Sequence, residues 1–354
     1  MSDLQISLAI AGGLVLAAVV AHSAWSARKS RPMQATPKTP DDNLQAPPAG
    51  DVLNERQEPS VDGESGLSLL SNFASLMVGD KKPGLDVLID VIAPIAVDTE
   101  VSGEAALGAM PATRRAGSKP FGVEGLNVAS RQWELPGAGQ RYSAFQCGVQ
   151  LANRLGALNQ IEYSEFVMKT QAFADAIGGE PEFPEMLDEV ARARELDQFA
   201  SAHDAQLSFT LRAISTAWSP GYVVQNAFRL GFVAGSIPGR MVLPATERGG
   251  ASILGLAFDT HAAMAEDPEQ TALREITLSL DVPQVSRAEQ PFVRMRESAA
   301  ALAASMGGVV IDDNGNVITS DAMDVIGAEL EQLYDTLDER DLSVGSVLAR
   351  RLFS

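Results

Sequence analysis

Apolar and polar positions follow three different patterns along this chain. From Ile6 to Trp25 nearly every residue is apolar, and the run gives way to Arg28, Lys29 and Arg31. Some twenty helical residues rise about 30 Å, enough to cross the hydrocarbon core of a bilayer. Prolines then scatter among Asp, Gln, Ser and Gly as far as Pro83, a composition that buries too little apolar surface to repay ordering. One apolar island, Leu67 to Val78, interrupts that stretch. It reads as a piece packing on the following domain, a short docking helix or a partner-binding motif.

Beyond Pro83 the periods shorten. Leu85, Val87, Ile89 and Val91 alternate with polar residues, as do Leu207, Phe209, Leu211 and Ala213, so both segments predict strands with one buried face. Tyr142–Leu151 and Leu273–Val282 predict two longer strands. Phe292, Met295, Ala299, Leu302, Ala303 and Met306 form a helical stripe, which predicts a helix from Glu289 to Met306 stopped by Gly307-Gly308. The same offsets counted back from Gly178-Gly179 give Tyr163, Phe166, Thr170, Phe173, Ala174 and Ile177. Short helices at 103–110 and 222–230, strands beginning near Phe121 and Phe232, and closing helices at 186–199 and 321–337 extend the likeness.

These elements define an α+β fold: one N-terminal transmembrane helix, then two tandem units. Each unit is an antiparallel sheet with helices on one face and the other face open. The expected boundaries are an anchor over 1–27, a Pro-rich linker over 28–83, a first unit over 84–204, a second over 205–341 and a tail over 342–354. In the tail, Val344, Val347, Leu348 and Leu352 predict a short helix that folds back on a domain or covers the open sheet face.

Charge and composition narrow the function. The basic residues follow the apolar run, whereas a cleavable secretory signal carries them in front, and Ala21-His22-Ser23 is a poor cleavage site. The positive-inside rule then places the N-terminus outside and the rest of the chain in the cytoplasm, with Trp25 at the interface. A net charge of -19 over 354 residues argues against nucleic acid. The single cysteine, Cys147, excludes an internal disulfide, and three histidines, one of them in the anchor, leave no His- or Cys-rich metal site. Cys147 lies on the apolar face of a strand and reads as a small buried hydrophobe. The glycine-rich pieces at 136–139 and 235–239 lack the Walker lysine and the dinucleotide spacing. Asp312-Asp313-Asn314-Gly315-Asn316 lacks the glycine and glutamate spacing of a calcium loop and reads as a hairpin turn. Arg114, Arg115 and Lys119 form the only basic cluster of the folded part, a solvated loop or a contact for an acidic tail. No catalytic constellation, cofactor or small-molecule substrate is expected.

From Phe292 the chain reads FVRMRESAAALAASMGGVVIDDNGNVIT and continues into a helix expected to be capped by Ser320. This helix, Gly-Gly and Val-Val-Ile-Asp-Asp hairpin resemble the C-terminal domain of the cell-division protein ZipA. The layout of outward N-terminus, single span, basic flank and Pro-rich linker resembles that family too. The resemblance covers the anchor and about 150 residues from Ala205, and it reaches the first unit only through the likeness of the two units. It implies a membrane anchor for FtsZ, the tubulin-like GTPase of the bacterial division ring, whose C-terminal tail the family takes in a shallow apolar groove on the open sheet face.

Carried onto this chain, the groove falls on Arg212 of the first strand, Ile237 of the strand after the first short helix, Asp259 of the next, and Thr277 and Ser279 of the long strand. The family has an aromatic residue at Ser279 and methionines at Ile237 and Asp259, and a one-residue slip puts Phe258 at the last. A face this polar forgoes roughly 1.5–3 kcal/mol of burial for each large side chain lost. The first unit offers Leu88 and Ile92 as open positions instead. The expected role is therefore a non-enzymatic inner-membrane adaptor at the division site, with FtsZ and the lipid bilayer as partners. The alternative is a scaffold of the same fold that binds a different division or envelope protein.

Overall fold

The computed structural model describes residues 84–246, 250–267, 271–312 and 314–354. The expected anchor, linker and apolar island lie outside them. Among the described residues, no helix is long and apolar enough to cross a membrane. Helices and antiparallel sheets divide into two units, 84–199 and 200–354, the division falling within the last turn of a helix that ends at His203.

The first unit runs β1 (Asp90–Ser102), α1 (Gly103–Ala109), β2 (Lys119–Asn127), β3 (Arg141–Gln150), α2 (Gln160–Ile177), β4 (Gly179–Pro181) and α3 (Met186–His203). Its sheet has the order β2-β3-β1-β4, every pair antiparallel. Alternation sends Val91, Ala93 and Ile95, Phe121 and Val123, and Phe145, Cys147 and Val149 into one core with Tyr163, Phe166 and Phe173 of α2. The Phe145 and Phe173 rings meet edge to face at 5.5 Å, a geometry that adds about 0.5–1.5 kcal/mol to their area burial. Helix α2 starts where Asn159 and Glu162 satisfy each other's backbone N–H groups, a capping box. It stops at Gly178, whose φ of 71° favours glycine.

One strand is displaced from its expected place. The alternation of Leu85 to Val91 predicts a strand there, yet β1 begins at Asp90 and continues to Ser102. Two aspartates account for it. Asp86 Oδ1 accepts the Leu88 N–H at 2.8 Å and Asp90 Oδ2 accepts the Asp86 N–H at 2.8 Å. These side chains satisfy locally the donors that a ladder needs, so the segment turns.

The second unit runs β5 (Gln206–Ala213), α4 (Pro220–Arg229), β6 (Arg240–Leu243), β7 (Leu254–Ala257), α5 (Thr260–Ala263), β8 (Glu275–Asp281), α6 (Pro291–Met306), β9 (Gly308–Ile311), α7 (Ser320–Asp338) and α8 (Val347–Leu352). Its sheet has the order β6-β7-β8-β5-β9, again antiparallel. The strands β7-β8-β5-β9 repeat the order β2-β3-β1-β4, and each sheet receives its last strand directly from a glycine-terminated helix. The stripe of α6 covers one face: Phe292, Met295, Ala299, Leu302 and Met306 are buried against Phe209, Leu211, Ile276, Leu278 and Leu280.

Local chemistry shifts three expected boundaries. Helix α6 starts at Pro291, not Glu289, because Arg287–Glu289 form a 3-10 turn, Gln290 takes φ 49°, and proline suits the first helical position. Thr319, not Ser320, caps α7 by accepting the Ala322 N–H. The segment near Phe232 forms only Val233–Ala234 before a turn leads into β6. The tail does form a short helix, and it packs on its own unit: Leu342, Ala349, Leu352 and Phe353 are buried, and Gln284 donates to Phe353 O at 2.7 Å.

Candidate functional site

The outer face of the second sheet is the surface that its helices leave uncovered. Cross-strand pairs lay it out in rows. Arg212 of β5 faces Glu275 of β8, Thr210 faces Thr277, and Ser208 faces Ser279. Ala257 of β7 then continues the Thr277 row and Gly255 the Ser279 row, with Arg240 and Val242 of β6 beyond. Arg212 Nε and Glu275 Oε1 form an ion pair at 2.6 Å, about half exposed on both sides. Exposed pairs of this kind contribute at most about 1 kcal/mol, so the arginine is held in place more than it is stabilising. Gly255 makes room for its neighbour, since a Cβ there would lie 2.7 Å from Ser279 Oγ. The result is a shallow polar surface floored by Gly255, Ala257, Thr277 and Ser279.

Three of the residues expected at the groove therefore share one face: Arg212, Thr277 and Ser279. Two do not lie on strands. Ile237 sits in the turn between Val233–Ala234 and β6, 56% exposed. Asp259 follows β7 and caps α5 by accepting the His261 N–H at 2.8 Å. The turn and the cap meet at one corner of the sheet, where Phe258 N–H donates to Gly239 O at 2.9 Å. In the first unit Ile92 does lie on the outer face of β1, but Leu88 falls in the turn ahead of it, not on a strand. Arg240, Val242 and Ala257 complete the second face. The alternation Met241-Val242-Leu243 and Leu254-Gly255-Leu256 carries that signal, but over only three residues each.

Elsewhere the chemistry is structural. Lys119 is fully buried and donates to Asn153 Oδ1 at 2.7 Å and to Gly156 O, so it adds nothing to a basic surface patch with Arg114 and Arg115. Burial pushes the Cys147 thiol up to about 12, which leaves almost no thiolate near neutral pH. Among the described residues, no group of three or more His, Cys, Asp or Glu is arranged to hold a metal ion. A cavity of about 420 Å³ between α6 and α7 is lined by Phe292, Val293, Leu330 and Tyr334. Its flanking cations are already engaged, Arg287 with Glu331 and Asp335, and Arg296 with Asp324 at 2.7 Å.

The second unit thus presents a sheet backed by helices on one side, with an exposed outer face of small polar residues and one ion pair. Residues 262–329 match the sequence model of the ZipA C-terminal FtsZ-binding domain, a protein-binding division domain and not an enzyme family. The match spans α5 to the middle of α7 and includes β8, which carries Thr277 and Ser279. It supports FtsZ binding in cell division for this chain. No curated protein matches the chain significantly.

Proposed function

We propose that the chain is a non-enzymatic adaptor that binds the C-terminal tail of FtsZ on the outer face of the second sheet and tethers it to the inner membrane. The observation that carries the reading is the match over residues 262–329, whose strand β8 runs through the middle of that face. Arg212, Thr277 and Ser279 are the contact residues, and Ile237 and Asp259 border them at the corner. The repeated strand order supports two tandem units of one fold, and the apolar run from Ile6 to Trp25 supports a single membrane span with the folded part in the cytoplasm.

The face is more polar than a groove for an apolar tail requires, so single-site affinity is low. Polymerised FtsZ presents many tails, and a membrane surface holds many copies of the adaptor, which turns weak contacts into avidity. Liposomes carrying the full chain should recruit FtsZ filaments in a flotation assay. FtsZ without its tail, or the chain without residues 1–27, should recruit none. Equal recruitment of tailless FtsZ would remove the tail as ligand. It would favour the reading that the face serves another division or envelope protein.

A further inference from the structure

The outer face of the first sheet is already occupied. Its middle rows run Gly122–Gly148–Ile92 and Glu124–Gln146–Pro94 across β2, β3 and β1. The chain just ahead of β1 lies over them. A Cβ built on Gly148 would come within 2.5 Å of Leu85 Cδ2, and one on Gly122 within 3.3 Å, so the leucine fills a hollow that only two facing glycines leave. Beside the hollow stands Glu124, a carboxylate only 1% exposed. Its Oε1 accepts the consecutive backbone N–H groups of Gly84 and Leu85, and its Oε2 accepts from Gln146 Nε2 at 2.8 Å. A buried carboxylate is costly unless such donors satisfy it, and two successive backbone N–H groups converging on one oxygen are the nest that a bent peptide segment presents to an anion. The far end of the segment is held by the Asp86–Asp90 turn and by Arg192, which donates to Asp90 O at 2.6 Å.

The place filled is a meaningful one. Gly179, which opens β4, pairs with Val97, and Gly308, which opens β9, pairs with Ala213. Counted from those glycines, Ile92 matches Ser208, and their partners Gly148 and Ser279 match as well. Leu85 therefore lies in the first sheet where the Ser279 side chain lies in the second.

We infer that the outer face of the first unit is a peptide-binding site occupied in cis by the chain's own Gly84–Leu85. Glu124 recognises the backbone of a Gly-Leu step, and the Gly122–Gly148 hollow accepts the leucine side chain. Any free peptide must compete with a tethered segment whose effective concentration is of millimolar order. The inference stands whether or not the second unit takes the FtsZ tail.

Hydrogen exchange of the full chain, resolved to single amides by mass spectrometry, tests it. Gly84 and Leu85 should exchange slowly in the native chain, and Glu124→Gln and Gly148→Leu should each speed them at least tenfold. The amides of α2 at Phe166 and Phe173 report whether the unit is still folded in each variant. Exchange of Gly84 and Leu85 at free-peptide rates while α2 stays protected would overturn the inference. A labelled peptide copying residues 83–89 supplies a second readout. It should bind the Leu85→Pro chain, which lacks both the leucine and its N–H, at least tenfold more tightly than the native chain. Equal or absent binding to both would show that the face is not a peptide site.

Discussion

Single residues decide where the sequence pattern and the structure part. Alternation places Leu88 on a strand, but Asp86 and Asp90 bond the intervening backbone and bend it into a turn. Asp259 likewise follows the end of a strand and caps α5, so its side chain serves a helix terminus at the corner of the sheet. Lys119 follows Arg114 and Arg115 in sequence, yet its ammonium is drawn inside by Asn153 and Gly156. None of these outcomes has a periodic signature, because each depends on specific hydrogen bonds of one side chain, local for Asp86, Asp90 and Asp259 and more than thirty residues distant in sequence for Lys119. Cys147 is the opposite case: its neighbours Phe145 and Val149 on the same face announce burial. With the thiol pushed up to about 12, native Cys147 holds roughly a thousandfold less thiolate at pH 8 than a free cysteine with a pKa of about 8.5. Iodoacetamide at pH 8 should alkylate it at least 100-fold more slowly in the native chain than in denaturant, read by intact mass. Equal rates would show that the site opens freely.

At the scale of elements, the helices and long strands are legible because their apolar stripes are long. The stripe of α6 and the paired glycines after it mark a helix, a stop and a strand in the order found. The hairpin after β9 is wider than an Asn-Gly pair alone implies. It closes between Asp312 and Asn316, with Asp312 Oδ1 accepting the N–H groups of Asn314 and Asn316 and Gly315 at φ 82°. Gly308 is required for packing: a Cβ there would lie 2.9 Å from the buried Trp218 ring and 3.2 Å from Arg212 O. Gly308→Ala should therefore lower the urea stability of the second unit by about 1–3 kcal/mol, the usual cost of overpacking. Gly108→Ala, which meets nothing within 4 Å, should leave stability unchanged or slightly raised. The tail belongs to the same scale. Leu342, Leu352 and Phe353 are each no more than 1% exposed, and each such side chain contributes roughly 1.5–3 kcal/mol of burial. Truncation after Asp341 should cost the second unit about 3 kcal/mol or more in denaturant unfolding, since ordering entropy offsets part of that burial. An unchanged midpoint would show that the tail is an ornament.

For the whole molecule, the two sheets share one strand order but present different outer faces. The first carries a buried glutamate and a leucine from its own chain, and the second carries an exposed ion pair and a row of small polar residues. Alternation reveals that each sheet has two faces. It says nothing of what a preceding loop lays across one of them, because Leu85 reads equally well as a strand residue. The face that its own chain leaves exposed is the one built partly from the matched segment, and the proposal that it receives the FtsZ tail rests on that coincidence. The direct test is the fluorescence anisotropy of a labelled FtsZ C-terminal peptide titrated with the full chain. Saturable binding, weakened at least tenfold by Thr277→Lys or Ser279→Lys and little changed by Ile92→Lys, is the predicted result. Binding unaffected by Thr277→Lys and Ser279→Lys, or no binding at all, would contradict it.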